Sequence, residues 1–345
     1  MAAEIWTIGI PDPLRGGEVA KRLEDEGYDG IVVVDSQCLA PDSFVGLTVM
    51  AQATTTLGIG TGVANPVTRH PAALAAAAAA VNVVSANGDS GGRMVLGIGR
   101  GDSALFHIGQ EPAPLREFKP FLADLCKYVR GEIVDQDGTP SSLRWFKNWP
   151  QKHHVPVDVA CTGPKIIQYA ATVADRITFA VGVNPDRIRW GIDLARQART
   201  DAGLNPDDLR FGAYVQCAAH PDTDKAVALV RGTAGTFAHF SGMEGSTGEG
   251  QTAEDRAQFE SVHENYERKK HTMATARHAQ ALDDDFIRRF AAVGPADEVI
   301  ARLQSVVDEG VDRLVFTFPS RDTNVDDQKI AKTLFADEVM PALHA

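Results

Sequence analysis

The chain has 345 residues, 44% hydrophobic and 23% charged, the proportions of an ordinary globular protein rather than a disordered or fibrous one. Its formal net charge of −12 excludes a broad nucleic-acid or anionic-membrane surface, which needs a basic face, but not a small anionic ligand held by a few local cations. The four cysteines, Cys38, Cys126, Cys161 and Cys217, stand far apart with no C-x-x-C pair, so neither a disulfide framework nor a zinc knuckle is expected; they read as small buried residues of a reducing cytoplasm.

The opening "MAAEIWTIGI" has no basic segment followed by a long apolar run, so no signal peptide is expected. It predicts a first strand, Glu4 to Ile10. "GGEVAKRLEDEGYDG" predicts a helix that Gly27 stops. Strands follow at Gly30–Ser36 and Leu57–Asn65. "LAAAAAAV", Leu74 to Val81, predicts a helix from alanine's propensity and falls far short of the ~20 residues of a membrane span. Further strands are predicted at Arg93–Gly99, Val155–Cys161, Arg176–Gly182, Arg210–Ala219 and Asp312–Phe318. A helix is predicted between Pro185 and Gly203. Eight nearly continuous apolar strands alternating with helices imply a parallel sheet covered by helices, and the count of eight predicts a closed (β/α)₈ TIM barrel over a doubly wound open sheet. The whole chain, 1–345, reads as one such domain. From about 240 to 290 the rhythm breaks into a Gly/Ser/Glu-rich loop and a polar helical stretch. This insertion between strands seven and eight is expected either to cover the barrel mouth as a lid or to be a solvated helix pair.

Three stretches sit where strands end. "TGVANPVTRHP" places a glycine, a turn and two cationic side chains, Arg69 and His70, after the third strand. His70 by itself reads as a capping or hydrogen-bonded structural histidine. "GGRMVLGIGRGDSALFHIG" puts glycines at 97, 99 and 101 after the fourth strand, but its spacing is not G-x-G-x-x-G, which disfavours a dinucleotide-binding Rossmann turn. Glycine there still lets a flat ligand approach the backbone. Asp102 is an acid/base candidate at a strand's C-terminal end, or else it or Ser103 caps a following helix. In "ACTGPK" a strand passes through Thr162-Gly163-Pro164-Lys165 into a helix, whose N–H groups and the lysine favour an anion such as phosphate. The ten histidines show no metal-ligand spacing, and no metal site is expected.

"GVANPVTRHP", "SGGRMVLGIGRGDSA", "ACTGPK" before "AD-R", and "GPADEVIARLQSVVDEGVDRLVF" resemble the bacterial luciferase-like superfamily of flavin- and deazaflavin-dependent oxidoreductases, nearest its methylenetetrahydromethanopterin reductase branch. The resemblance implies a luciferase-like TIM barrel with the cofactor in its mouth, and a third strand carrying a non-prolyl cis peptide, here Gly62-Val63, behind the ring. Ala64 and Asn65 would border the ring, with Gly99 and Gly101 beside it and Asp102 matching an acidic residue near the reacting carbon. Thr162, Gly163, Pro164 and Lys165 match the cofactor phosphate loop, and Gly182 and Val183 the loop near the ribityl chain. Asp35 and Ser36, at the end of the second strand, are further cofactor positions; several deazaflavin members carry a histidine where this chain has Ser36, which weakens a sugar-phosphate dehydrogenase mechanism using that histidine. The implied protein is a cytoplasmic, dimeric oxidoreductase moving a hydride between coenzyme F420, or else FMN, and a small organic substrate. An FMNH₂-dependent monooxygenase and a non-catalytic ligand-binding barrel are the alternatives.

Overall fold

The computed structural model describes residues 2–86, 91–148, 154–242, 251–317 and 319–345. Its strands are β1 (Glu4–Gly9), β2 (Gly30–Val33), β3 (Gly58–Thr61), β4 (Met94–Ile98), β5 (Val134–Gln136), β6 (Thr139–Ser141), β7 (Val157–Cys161), β8 (Arg176–Phe179), β9 (Arg210–Ala219), β10 (Ala292–Gly294) and β11 (Arg313–Thr317). The helices are α1 (Gly16–Asp25), α2 (Ser43–Ala53), α3 (Pro71–Ser85), α4 (Ser103–Phe106), α5 (Leu115–Val129), α6 (Pro164–Val173), α7 (Pro185–Asp201), α8 (Thr223–Gly242), α9 (Ala253–Glu264), α10 (Arg277–Gln280), α11 (Asp284–Phe290), α12 (Ala296–Val307), α13 (Val325–Leu334) and α14 (Met340–His344).

The sheet runs β10-β9-β11-β1-β2-β3-β4-β7-β8, and a further β9–β8 pairing closes the run from β9 to β8 into a ring. Eight parallel strands thus close the predicted TIM barrel. Each of the eight predicted strands is present, although Phe318 lies outside the described residues. β10 adds to β9 through the pairs Ala292↔Cys217 to Gly294↔Ala219, and β5–β6 forms a separate antiparallel hairpin; neither was predicted. By internal contacts the chain forms two compact units. The N-terminal unit comprises 8–160 and 173–176, and the C-terminal unit comprises 1–7, 161–172 and 177–345.

Local chemistry sets the helix ends. In the N-terminal unit Asp42 accepts the N–H groups of Phe44 and Val45 to start α2, and Nδ1 of His70 accepts the N–H of Ala72, with Pro71 in the first turn of α3. Gly27 ends the α1 region at φ +89°, the left-handed conformation glycine adopts without a Cβ clash. In the C-terminal unit Asn184 caps α7 through the N–H groups of Asp186 and Arg187. Cys126, Cys161 and Cys217 are buried, but Cys38 is exposed, correcting the expectation that all four are buried: it sits in the polar turn after β2, at φ +65°.

The turn entering β3 is held from two sides. Oε1 of Glu24 accepts the N–H groups of Thr55, Thr56 and Leu57 at 2.8, 2.6 and 3.1 Å and the Thr56 hydroxyl at 2.8 Å. Arg93 donates to the carbonyls of Ala51, Thr54 and Leu57 at 2.9, 2.9 and 2.5 Å. Burial alone would raise the Glu24 pKa, but the bonds from the 55–57 segment outweigh it and hold the carboxyl at about 2. A folded pKa below the ordinary 4.5 makes this stabilisation complete above that value and lost as pH falls through about 2. Glu24→Gln is therefore expected to cost roughly 2–3 kcal/mol at pH 7, the scale of hydrogen bonds to a charged group. In urea unfolding the gap between wild type and variant should close between pH 4.5 and 2; a gap independent of pH would refute the charged-clamp account.

Candidate functional site

In the N-terminal unit the ends of β2, β3 and β4 bring together the first group of candidate residues. β2 and β3 pair in register from Gly30↔Gly58 to Val33↔Thr61. The Gly62-Val63 peptide is cis, as the resemblance implies. Around it the pairing is kept: the Gly62 N–H donates to Val33 O at 2.8 Å, the Ala64 N–H to Gly97 O at 2.9 Å, and the Gly99 N–H to Ala64 O at 3.0 Å. Gly97 must be glycine, since a Cβ there would lie 2.0 Å from the Thr61 carbonyl oxygen. At Gly99 it would meet the Val63 side chain at 3.0 Å. Asn65, 3% exposed, braces its own loop, its Oδ1 accepting the N–H groups of Val67 and Thr68.

Asp35 is 4% exposed. Its Oδ1 accepts from the Gln37 amide at 3.2 Å and the Ser43 hydroxyl at 3.1 Å, with Arg69 at 3.6 Å. Its Oδ2 is buried with no hydrogen-bond partner. Burial raises the Asp35 pKa more than the Arg69 guanidinium and the Ser43 hydroxyl lower it. Arg69 also pairs with Asp42 at 2.6 Å and lies over the Phe44 ring, so the cation of the TRH segment locks this loop to α2. Ser36 is half-buried. Gly101 takes φ +89°, and Asp102 stands at the N-terminal boundary of α4. There the Asp102 side chain makes no bond to the helix backbone; its Oδ2 accepts the Ser103 hydroxyl at 2.8 Å. The capping alternative for Asp102 is not what the geometry shows.

In the C-terminal unit Thr162 and Gly163 lead into α6. Pro164 begins the helix, and the Ile167 N–H donates to Gly163 O at 3.1 Å. Lys165 is exposed at its second position. The Thr162 carbonyl accepts from Arg187 at 3.1 Å. Arg187 is 2% exposed, lies 3.9 Å over the Trp190 ring, and is pulled down by burial to a pKa of about 10. Sequence reasoning missed this brace. Its one signal was an arginine in the first turn of a helix capped by Asn-Pro, a pattern that says nothing about the segment it reaches. Gly182 takes φ +77°, and the following Val183 donates its N–H to Phe290 O at 3.0 Å.

The insertion also belongs to this unit. It lies between β9 and β11 and packs on α8. The Thr272 N–H donates to Thr236 Oγ1 at 3.1 Å, and Gly232 leaves room for the 272–274 backbone, where a Cβ would come within 2.4 Å. Asp322 accepts the N–H groups of Ala274 and Thr275 at 2.8 and 2.9 Å. His278 is fully buried. Its Nδ1 accepts the Glu267 N–H at 3.2 Å, and burial, with His271 and His239 adding, lowers its pKa to about 4. Of the "SGMEGSTGEGQTAED" loop, residues 243–250 lie outside the described residues. Among the described residues no cluster of His, Cys, Asp and Glu could hold a metal ion, and no helix is long and apolar enough to cross a membrane.

A closed parallel barrel with glycines, an acidic residue and a helix N-terminus at its strand ends belongs to the enzymes whose βα loops carry the chemistry. The model of the family described as luciferase-like monooxygenase matches residues 7–313; the chain belongs to this family. It is 27% identical over 336 residues to the 5,10-methylenetetrahydromethanopterin reductase of Archaeoglobus fulgidus, covering 94% of each chain. It is 24% identical to the F420-dependent glucose-6-phosphate dehydrogenase of Amycolatopsis mediterranei, covering 95% of this chain and 94% of that one. Among solved structures, an F420-dependent secondary alcohol dehydrogenase in complex with an F420-acetone adduct superposes over the whole of both chains with a TM-score of 0.73 at 20% identity, a likeness of fold.

Proposed function

We propose that this chain, an oxidoreductase of the F420- or flavin-dependent kind, moves a hydride between coenzyme F420 and a small organic substrate. Supporting the cofactor is the relative named an F420-dependent glucose-6-phosphate dehydrogenase, which the chain matches over 94% of its length. The observation that carries the reading is Asp35: a buried carboxylate held through one oxygen while the other has no partner. A buried polar atom of this kind costs free energy unless a ligand meets it, and the amide-like edge of a deazaflavin ring offers such a partner. The residues present therefore fit the group. In the N-terminal unit, Asp35 would take its polar edge and the Gly62-Val63 and Gly99 backbone would back its flat face; in the C-terminal unit, the α6 N–H groups with Lys165 would suit a phosphate. F420, when bound, supplies two-electron hydride chemistry. Asp102 keeps its carboxylate off the helix backbone and holds or delivers the proton that accompanies the hydride at the neighbouring substrate atom.

The test is parallel fluorescence titration of the purified chain with oxidised F420, FMN and NADP. F420 is expected to bind at least tenfold more tightly than FMN; tighter FMN binding with oxygen consumption would replace this reading with the monooxygenase one. In the same assay Lys165→Ala is expected to weaken F420 binding several-fold at ~0.01 M salt and less at ~0.15 M, because the Debye length shrinks from about 30 to about 8 Å. Equal affinity of both proteins at every salt concentration would make Lys165 a surface residue.

A further inference from the structure

The C-terminal unit carries a second array that the cofactor does not use. On β9, Phe211 stacks on Phe179 and lies beneath Arg196 of α7, so its face is the helix-covered one. Alternate residues of a strand point to opposite faces, which puts Tyr214 and Gln216 on the barrel's inner face. From Tyr214 a row of rings runs outward. Its centroid separations are 5.6 Å to Phe237, 5.5 Å from Phe237 to Phe240, and 6.1 Å from Phe240 to His271, with interplanar angles of 42°, 74° and 46°. At the outer end the Tyr266 hydroxyl and His271 Nδ1 share a hydrogen bond of 2.8 Å. Tyr214 and Phe237 are buried, whereas Phe240, Tyr266 and His271 are partly exposed. The row thus leads from the barrel interior to solvent.

Two observations separate this row from ordinary core packing. Its outer members Phe240 and His271 are partly exposed, and Tyr266 stacks face to face on His239 at 3.6 Å, so the row reaches solvent as an aromatic surface. And Gln216, two residues beyond Tyr214 on the same face, is fully buried with neither its amide nitrogen nor its oxygen hydrogen-bonded. An enclosed amide in that state lacks the partner that buried polar groups ordinarily have.

Resting on the oxidoreductase reading above, we infer that this row is the substrate wall, and that it selects a planar conjugated ring bearing a hydrogen-bonding heteroatom over a saturated compound of the same size. Phe237 and Phe240 contact the ring. The Tyr266–His271 pair or the Gln216 amide meets the heteroatom. These are positioning and specificity groups; the chemistry stays with the cofactor and Asp102.

The probes are 2-naphthol and decahydro-2-naphthol, which share a skeleton and a hydroxyl and differ in planarity. Their binding to the full chain is measured by calorimetry with and without F420. The expected result is at least tenfold tighter binding of 2-naphthol. Phe240→Leu should remove most of that preference, and Tyr266→Phe should weaken 2-naphthol several-fold. Equal binding of the two probes, or an unchanged preference in Phe240→Leu with Tyr266→Phe also unaffected, would overturn the assignment. F420 binding is read separately in the same samples. A protein that fails to bind F420 yet prefers 2-naphthol loses the cofactor reading and keeps this one; the opposite pattern does the reverse.

Discussion

Asp102→Asn is expected to lower kcat by about 10²–10⁴-fold, the range of a positioned acid or base, while F420 affinity changes less than threefold. The residue ends a glycine-rich strand, and its carboxylate bonds the Ser103 hydroxyl rather than the N–H groups of α4. Asparagine preserves that bond, because its amide oxygen accepts from the same hydroxyl, and it would cap a helix about as well as aspartate. Only the titratable proton is lost. The measurement is single-turnover oxidation of bound reduced F420, run beside thermal unfolding. Full activity would leave Asp102 a structural residue of the β4–α4 turn.

Gly182→Ala is expected to lower the unfolding free energy by roughly 2–5 kcal/mol. At φ +77° an L-residue pays about 1–2 kcal/mol for the left-handed conformation. A Cβ there would also lie 2.6 Å from the Phe290 carbonyl oxygen and 2.7 Å from its ring, and relieving such overpacking costs typically ~1–3 kcal/mol. The same carbonyl accepts the Val183 N–H, so moving it opens the loop that the resemblance matches to the ribityl chain, and F420 affinity should fall at least tenfold. Gly203→Ala is the control. It has φ +70° with nothing within 4 Å of a Cβ, and should show the conformational cost alone. Equal losses in the two variants would discard the contact with Phe290.

The barrel was legible because its signals are local. Apolar runs such as "GIVVV" and "RITF" sit between helices with their own stops, and Gly27 and Gly203 do what a helix-ending glycine does. His70, read as a capping or hydrogen-bonded structural histidine, caps α3. The cis bond at Gly62 was legible only through resemblance, since nothing in "TGVAN" itself demands it. What escaped is non-local. Arg187 serves a carbonyl 25 positions earlier, Glu24 clamps a turn more than 30 positions away, and β10 exists because β9 offers it an edge. The insertion's composition left a lid and a solvated pair of helices equally open; it does not tell that Thr236 and Gly232 seat the segment on α8 while Asp322, after β11, holds the 274–275 backbone, contacts that no periodicity encodes. Cys38 was misjudged because cysteine's average preference for burial gave way to a tight turn.

The Asp322 clamp has a bearing on how such enzymes diverge. A single carboxylate after β11 takes two backbone N–H groups and the Thr275 hydroxyl of a segment 47 or 48 positions earlier. The insertion is therefore tied to the barrel's last loop, and the two form one heritable module. Drift within the helices of the insertion is tolerated while the 274–275 backbone keeps its shape, because main-chain donors are blind to most side-chain changes. Transplanting the insertion of a relative onto this barrel, by contrast, requires its own loop after β11 to travel with it. A chimera that exchanges one piece without the other would leave two N–H groups and a carboxylate facing strangers.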